Sequence, residues 1–504
     1  MGNAIFMIQT RLAIISIIIC YYILRPVTVQ SQSFEYIYST PEDELIYDIT
    51  SDSSGNFYLV GQIGTFNPNF LFASYDALII KMNSFGDTLK TLRIPAINSW
   101  KSLSGIYIIN DTLFIGSGMV KNLSGDFQIY FVKFDQNLNI LLETSFGNSQ
   151  VNEIIYSDKR AKNGEFLVTG KASDLNDNQI FYSRFNANGD SLSYYQFGLP
   201  ANPSEVAYDI LELHDTTGYI LCSFGWPSQN FEIHNELLRI NNTGIVDTVV
   251  EVYRSFFYLN AEWISDSVFI TNGITYDPFT ISNNIQETSI RKFNLDLVIQ
   301  DSLMTGKFDT TEAWAVDGIS FVDTSNIFIG ACSNWQGSYF GTDPSYFALL
   351  KLNSNLAIKW EKYYSYNDDY LALLKVLAIP DDGVILAGTK YNSLLSNGYE
   401  RDIYIIKLDS SGNFLTSTIE YPNIFISDFI VYPNPITDVL NIVQSAESKL
   451  TSIVVYNTLG KLILTKSLLN AKSEINLNSL ISGVYYYTLI GRSGKKINGK
   501  FIKL

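Results

Sequence analysis

The sequence predicts an all-β protein with two folded parts. Three observations support this: a composition rich in aromatic and β-branched residues, a unit that recurs along most of the chain, and a change of pattern close to residue 421. The chain has 504 residues, 46% of them hydrophobic and 14% aromatic, so it can fill a core and exceeds the usual size of one domain. Its 33 Tyr, 32 Phe and 32 Gly favour strands closed by turns.

The N-terminal segment, residues 1–31, is predicted to be a signal peptide. Thirteen uncharged and mostly apolar residues run from Leu12 to Leu24, a length that suits a signal-peptide core better than a membrane span. Val29 and Ser31 have the spacing of a cleavage site. Two alternatives stay open: a lipid on Cys20, although this residue lies inside the apolar run, and an uncleaved anchor.

A repeated unit fills residues 34–421. The basic residue that ends one apolar strand of each copy recurs about every 54 residues, at Lys81, Lys133, Arg184, Arg239, Lys292, Lys351 and Lys407. Each copy contains four short strand patterns, and a four-stranded sheet with two apolar faces buries both only by stacking against its neighbours in a ring. We therefore predict a seven-bladed β-propeller. Either Phe34–Tyr38 or the segment 413–420 could complete the last blade.

The first and last copies show the repeat most clearly. Gly55–Gly61 is followed by Asp76–Asn83, and Gly383–Gly388 is followed by Asp402–Asp409. The pattern Gly-Asn-x-Tyr-x-x-Gly, then Asp-x-x-x-x-Lys-x-Asp and a Gly turn, resembles the bacterial β-propeller repeats of the SBBP type. This resemblance implies the same blade architecture.

Residues 427–504 are predicted to form a small Ig-like β-sandwich. Beyond Tyr421-Pro422 the basic residues outnumber the acidic ones, and strand patterns such as Ser452–Asn457 alternate with turns. The motif residues are Pro433, Asn434, Pro435, Gly483, Tyr485, Lys500 and Lys503. In their order and spacing they resemble the type A C-terminal sorting domain of the type IX (Por) secretion system of Bacteroidota.

This resemblance implies an export route and partners, but no activity. It implies passage through the periplasm, recognition of the folded tail by the type IX secretion machinery, and removal of the tail by a sortase-like peptidase. The product would be secreted or held on the outer-membrane cell surface, with no transmembrane span after signal removal.

The sequence contains no catalytic motif. It has two histidines, and no His-Glu-x-x-His, Gly-x-Ser-x-Gly, phosphate loop or Cys-x-x-Cys pattern. We therefore assign no catalytic residue and expect no metal and no cofactor, and we expect Cys222 and Cys332 to be buried thiols. The net charge of −16 disfavours nucleic acid as a partner.

A ligand-binding face is predicted from the propeller geometry. Loops between the second and third strands of the blades emerge on one face, and these loops are rich in aromatic residues. The predicted ligand-binding residues are Trp226, Trp335, Tyr339 and Tyr391, with Phe66, Phe70 and Phe340 in the same set. The alternative is that these rings fill gaps between blades.

The function predicted from the sequence is an exported module that binds glycan or protein. Loop carboxylates, for example Asp368-Asp369 and Asp381-Asp382, leave open an extracellular carbohydrate-active enzyme, hydrolase or lyase, because such enzymes use two carboxylates. A structural component of the cell surface is the third alternative.

Overall fold

The computed structural model forms two compact units, residues 1–418 and 419–504. The structure describes residues 33–67, 72–96, 100–148, 150–173, 178–198, 204–226, 234–252, 255–276, 286–306, 312–336, 338–393, 399–414, 429–432, 436–444, 450–458, 460–468, 472–491 and 496–503. Every helix or strand within these ranges is a β-strand, which confirms the all-β prediction. In the same ranges there is no helix with the length and hydrophobicity of a membrane span.

The first unit begins with β1 (Phe34–Tyr38) and continues as groups of consecutive antiparallel strands. The first three groups are β2 (Asp43–Ser51), β3 (Phe57–Asn67), β4 (Phe72–Met82) and β5 (Thr88–Ile94); β6 (Lys101–Asn110), β7 (Leu113–Lys121), β8 (Phe127–Asp135) and β9 (Ile140–Phe146); and β10 (Asn152–Arg160), β11 (Phe166–Ser173), β12 (Asn178–Phe185) and β13 (Ser191–Phe197).

The remaining groups follow the same order along the chain. They are β14 (Ser204–Glu212), β15 (Gly218–Trp226), β16 (His234–Asn241) and β17 (Val246–Val252); β18 (Ser255–Ser265), β19 (Val268–Tyr276), β20 (Gln286–Asn294) and β21 (Ile299–Thr305); β22 (Glu312–Ser320), β23 (Ile327–Ser333), β24 (Tyr346–Leu352) and β25 (Ile358–Tyr364); and β26 (Tyr370–Ala378), β27 (Val384–Tyr391) and β28 (Asp402–Leu408).

The N-terminal strand completes the last group. β1 pairs antiparallel with β28, so that Phe34 lies opposite Lys407 and Tyr38 lies opposite Ile403. Phe34 is 8% exposed and packs with apolar residues of both the first and the last group. Of the two segments that the sequence left open, Phe34–Tyr38 therefore takes the fourth place in this sheet.

The first strands of the groups contact one another in a cycle. β2 contacts β6, and the contacts continue through β10, β14, β18, β22 and β26 back to β2. Seven apolar clusters of the described residues lie between neighbouring groups. Each sheet thus buries both of its faces against neighbours, as its two-sided apolar pattern requires.

The basic residue that marks the repeat connects neighbouring groups in several copies. Lys81 Nζ donates a hydrogen bond to the carbonyl of Gln136 at 2.8 Å, and Lys351 Nζ donates to the carbonyl of Ser410 at 2.8 Å. In both cases the acceptor lies in the turn that follows the third strand of the next group. Arg184 instead binds a carboxylate of its own group, so the regular spacing of these cations reflects a contact made in several groups and not in all.

The turn between the third and fourth strands is a five-residue loop. Asn83 Oδ1 accepts hydrogen bonds from the backbone N–H of Phe85 and Asp87, both at 2.9 Å, and Gly86 between them has a φ of +89°. Glycine adopts this left-handed conformation without strain. In three groups a buried leucine takes the same place: Leu138, Leu297 and Leu356, with φ of 58°, 59° and 56°.

The second unit contains two sheets around one core. Its strands are β29 (Phe429–Tyr432), β30 (Val439–Gln444), β31 (Leu450–Asn457), β32 (Leu462–Ser467), β33 (Lys472–Asn476), β34 (Gly483–Gly491) and β35 (Lys496–Lys503). The sheets have the orders β29-β30-β33 and β32-β31-β34-β35. Leu440 and Ile475 from the first sheet and Val455 and Leu489 from the second are buried in the shared core.

Candidate functional site

Aromatic residues from three groups of the first unit meet in one place, which we call the aromatic cluster. It comprises Phe66, Trp335, Tyr339, Phe340, Tyr370, Tyr391 and Tyr399. These residues lie near the end of β3, in the segment between β23 and β24, at the start of β26 and around the connection from β27 to β28. Connections between second and third strands supply most of them, so rings far apart in the sequence become neighbours.

Phe340 lies at the centre of the aromatic cluster. Its ring is stacked on that of Phe66, with centroids 5.1 Å apart and an interplanar angle of 8°. The rings of Tyr391 and Tyr399 meet it edge-on, at 5.2 Å and 5.1 Å. These distances and angles are those that aromatic pairs prefer, so the cluster is an ordered arrangement.

Arg401 lies against these rings. Its guanidinium carbon is 4.3 Å from the centroid of Phe340, a cation–π distance. Asp43 binds the same guanidinium through two hydrogen bonds, from Nε at 2.8 Å and from Nη2 at 2.6 Å. Burial lowers the pKa of Arg401, but its hydrogen bonds to Asp43 and the charge of that carboxylate outweigh burial, and the pKa is raised. The cation therefore stays charged although it is only 5% exposed.

The carboxylate of Asp43 also joins the first and last groups. Tyr75 Oη donates a hydrogen bond to Asp43 Oδ2 at 2.6 Å. Tyr75 directly precedes Asp76 of the first repeat, and Arg401 directly precedes Asp402 of the last, so the two side chains occupy the same repeat position. The aromatic cluster therefore borders the junction between the two ends of the first unit.

Part of the aromatic cluster faces solvent. Tyr370 and Tyr391 are only 2% and 8% exposed. The half-buried rings are those of Phe66, Trp335, Tyr339, Phe340 and Tyr399. Rings that are fixed on one side and open on the other can stack on the apolar face of a sugar or receive an apolar side chain of a partner.

Polar groups flank Tyr391. Lys390 Nζ lies 2.6 Å from Asp402 Oδ2 and 3.5 Å from Asp369 Oδ2. Asn392 donates its side-chain amide to the same Asp369. Burial raises the pKa of Asp369, against the hydrogen bond from Asn392 and the charge of Lys390. Lys390 faces the side of its strand opposite to Tyr391 and lies over the ring of Tyr366 at 5.3 Å, so these groups form an ion-pair network on the other face of the sheet.

A second polar feature follows the first strands of the groups. Each of these strands has a register shift near its middle, for example between Ile46 and Asp48 and between Ala207 and Asp209. A bulge of this kind redirects the next side chain. Asp48 Oδ2 accepts the backbone N–H of Ile106, and Asp209 Oδ2 accepts that of Ala261, at 2.8 and 2.7 Å. Each carboxylate therefore binds the first strand of the following group.

Two lysines neutralise the negative charge of these carboxylates. Lys375 Nζ lies 2.9 Å from Asp48 Oδ1 and also pairs with Asp317, while Lys159 Nζ lies 3.2 Å from Asp209 Oδ2. Burial lowers the pKa of both ammonium groups, but the neighbouring carboxylates outweigh burial and raise it. Both lysines remain cationic, and the arrangement is a set of structural ion pairs between groups.

The structure brings three of the four predicted ligand-binding residues into the aromatic cluster. Trp335 and Tyr339 have ring centroids 5.3 Å apart, and Tyr391 meets Phe340. Trp226 ends β15 in a different group, and its side chain lies outside the described part of the structure. Phe70 is likewise outside the described residues.

The loop carboxylates form no pair near the aromatic cluster within the described residues. Asp381 Oδ1 accepts the N–H of Gly383, and Asp382 has a φ of 63°, so this pair shapes the turn between β26 and β27. Asp368 is exposed, while Asp369 is held by Lys390. No group of three or more metal-binding side chains occurs in the described ranges.

The two cysteines of the described residues are buried and unpaired. Cys222 and Cys332 are 0% and 1% exposed and form no disulfide. Burial raises the pKa of the Cys332 thiol to about 12, and it also raises the pKa of Cys222. Thiols with such pKa values stay protonated and are poor nucleophiles.

Four of the predicted sorting-motif residues lie in the last two described strands of the second unit. Gly483 starts β34 with a φ of 154°, and Tyr485 is 6% exposed with its ring stacked on Phe501 at 5.5 Å. Lys500 lies opposite Tyr486, and Lys503 lies opposite Gly483. Pro433, Asn434 and Pro435 lie outside the described residues.

Sequence reasoning missed two residues of the site, Asp43 and Arg401. A signal for Arg401 existed, because an arginine there departs from the tyrosine at the same position in the first repeat. Asp43 had no such signal, since an acidic residue before a strand is common in this chain.

Residues 430–503 match the model of the secretion system C-terminal sorting domain. The second unit therefore contains a type IX sorting domain, and the chain is cargo of that system, destined for the cell surface or the extracellular space. Because the match is confined to the tail, it assigns no activity to the first unit. No curated protein matches the sequence.

Solved structures share a general likeness with the chain. A polysaccharide lyase described as an ulvan lyase is 9% identical, with a TM-score of 0.48 over 73% of this chain and 96% of that chain. The β-propeller domain of the Trilobed protease from Pyrococcus furiosus is 8% identical, with a TM-score of 0.41 over 76% of this chain and 100% of that one. Likenesses of this size carry no conclusion about activity.

Proposed function

We propose that the first unit is a seven-bladed β-propeller that binds glycans outside the cell through the aromatic cluster. The blade count is supported by the cyclic contacts of the first strands and by one apolar cluster between each pair of neighbouring groups. Pairing of β1 with β28 supplies the closure. Under this proposal the tail is an Ig-like sandwich and serves export alone.

The observation that carries the binding proposal is the set of half-buried rings held around Arg401. Phe340 is fixed on one side by Phe66 and on another by the guanidinium, at 5.1 Å and 4.3 Å. Rings held in this way lose little freedom when a ligand stacks on them.

The chemistry of the ligand follows from charge and location. The chain carries a net charge of −16, which repels polyanions, and the sorting domain takes it out of the cell. Neutral or weakly charged polysaccharides are abundant outside cells and combine apolar sugar faces with many hydroxyls. We therefore propose a glycan rather than a nucleic acid, and glycan rather than protein as the first ligand to test.

The test is a glycan array probed with the full chain and with Tyr339→Ala and Trp335→Ala. Capture should fall at least tenfold in both variants while the melting temperature stays within a few degrees. Phe85→Ala, which removes a ring that is 60% exposed in a turn, is the control and should bind as the wild type does.

Three outcomes would contradict the binding proposal. A large drop in melting temperature with either variant would mean that the rings are structural. New reducing ends or unsaturated products from the bound polysaccharide would indicate a carbohydrate-active enzyme. If no glycan is captured but deletion of the gene alters the cell surface, the protein is a structural component.

For the export route, we propose that residues 1–31 direct the chain into the periplasm and that a sortase-like peptidase of a Bacteroidota host removes the tail. Deleting residues 427–504 should then trap the protein in the periplasm. A variant that changes both Lys500 and Lys503 to Ala while keeping the fold tests the motif itself. Normal secretion of the tail-deleted protein would overturn this proposal.

A further inference from the structure

Arg291 is a buried cation without a hydrogen-bond or ion-pair partner among the described residues. It lies in β20, is 4% exposed, and its Nη1 makes no hydrogen bond. Burial alone shifts its pKa, downward, so no carboxylate of the described residues acts on it. A guanidinium left unpaired in the interior is strongly destabilising, so a compensating group is expected there.

Two hydroxyl groups without partners lie beside it. Thr271 is directly opposite Arg291 in the pairing of β19 with β20, and Ser289 is two residues from Arg291 on the same face of the sheet. Both residues are buried, at 0% and 2% exposed, and their Oγ atoms make no hydrogen bond. Three unused hydrogen-bond donors thus share one face of one sheet.

This face of the sheet is covered by the preceding group. Ala261 lies opposite Thr271, and Phe293 is two residues beyond Arg291; both belong to the apolar cluster that includes Cys222 and Leu237 of β15 and β16. The three donors therefore lie between two packed sheets. Asn235 of β16, buried and on the same face of its strand as Leu237, also faces this layer, but its amide carries no charge that could neutralise the guanidinium.

The cation is specific to this group. The residue directly before the basic residue of the repeat is apolar in most copies: Ile80, Val132, Leu238, Leu350 and Ile406. Each of these is buried against the preceding group. A charged residue at a position that is aliphatic in five other copies indicates that a further group occupies part of the space between the two sheets.

We propose that Arg291, Thr271 and Ser289 form a buried binding site for one small monovalent anion of the halide class, chloride in the cell's surroundings. One negative charge neutralises the one guanidinium, and the N–H and O–H groups provide the donors that a halide needs. A divalent anion such as sulfate would leave an uncompensated negative charge between apolar sheets.

The direct test uses crystals of the full chain grown in bromide. Anomalous diffraction at the bromine edge should show a peak within about 3.5 Å of Arg291 Nη1, a hydrogen-bonding distance. Density that refines as water without anomalous signal would overturn the proposal, and so would a peak found only at the protein surface.

A second test compares the melting temperature in sodium chloride and sodium gluconate at constant ionic strength. Wild type should melt higher in chloride, and Arg291→Met should lose this difference because it removes the charge at similar volume. Lys292→Met is the matched control: its ammonium donates to the carbonyl of Ser354 at 3.0 Å on the other face, so the chloride effect should persist.

If Arg291→Met does not fold, Thr271→Val with Ser289→Ala keeps the cation and removes two donors. This double variant should need more chloride than wild type for the same rise in melting temperature. Equal chloride dependence of wild type and of every variant would exclude the site.

Discussion

Replacing Phe34 by alanine is expected to weaken the junction at which the two ends of the first unit meet. The ring of Phe34 is 5.9 Å from that of Phe57 and covers Gly86, where an added Cβ would come within 2.7 Å of it. A buried phenylalanine removes roughly 150–250 Å² from water, which corresponds to about 4–6 kcal/mol at about 25 cal/mol per Å². Alanine retains part of this burial, so we expect the free energy of unfolding to fall by about 3–5 kcal/mol.

Urea denaturation of the full chain, followed by tryptophan fluorescence, measures this loss. Phe85→Ala, in the same turn but 60% exposed, should change the free energy of unfolding by less than about 0.5 kcal/mol. Gly86→Ala should be strongly destabilising, because its φ is +89° and the new Cβ would collide with Phe34. A loss below about 1 kcal/mol for Phe34→Ala would refute the claim that β1 closes the sheet through buried contacts.

Three further predictions concern buried groups. Burial raises the pKa of Glu44 to about 8 from 4.5, so the folded state binds this proton more tightly than the unfolded state does. The free energy of unfolding, measured by urea titration, should therefore fall as the pH rises from 5 to 8, and Glu44→Gln should make this dependence on pH less steep. Parallel pH profiles for wild type and variant would contradict the prediction. Lys375→Met removes the ion pairs of Asp48 and Asp317 and should cost about 3 kcal/mol in urea denaturation. This is the lower end for a buried pair, because Lys159 also acts on Asp317 and that side chain is 35% exposed. A loss under about 1 kcal/mol would show that the ion pairs are dispensable. Leu138→Gly relieves a left-handed φ but removes a side chain that is 2% exposed, so a net loss of about 1–3 kcal/mol is expected; a gain in melting temperature would show that strain outweighs burial.

The fold was predictable where the same type of residue makes the same contact in several groups. The basic residue at the end of the third strand was visible as a period in the sequence because in several copies it contacts the neighbouring turn, as Lys81 and Lys351 show. The closing strand was not predictable, since residues 34–38 and 413–420 are both short segments with strand character. The left-handed conformation of three leucines was also not predictable. Sequence patterns predict glycine at such positions, because other residues are strained there, and here the burial of the leucine side chain offsets that strain.

The aromatic cluster was predictable in part for the same reason. Most of its rings lie in connections between second and third strands or at the ends of the strands beside them, and stacking of the sheets brings these connections together. Arg401 and Asp43 could not be found in this way, because their pairing depends on closure of the chain and joins residues 358 positions apart. Arg291 could be noticed in the sequence as a cation at a position that is apolar in most copies, but its burial could not be predicted.

Closure of the first unit and assembly of the aromatic cluster are coupled through Asp43. This residue starts β2, and its carboxylate holds Arg401 at the start of β28, the strand that pairs with β1. Any change that loosens β1 from β28 therefore also loosens the guanidinium beneath Phe340. Thermodynamic linkage makes this coupling reciprocal. If pairing of β1 with β28 strengthens the binding of a ligand to the aromatic cluster, the bound ligand stabilises that pairing by the same free energy. Phe34→Ala, although β1 contributes no ring to the cluster, should thus bind glycan more weakly than wild type, and saturating glycan should recover part of its lost stability.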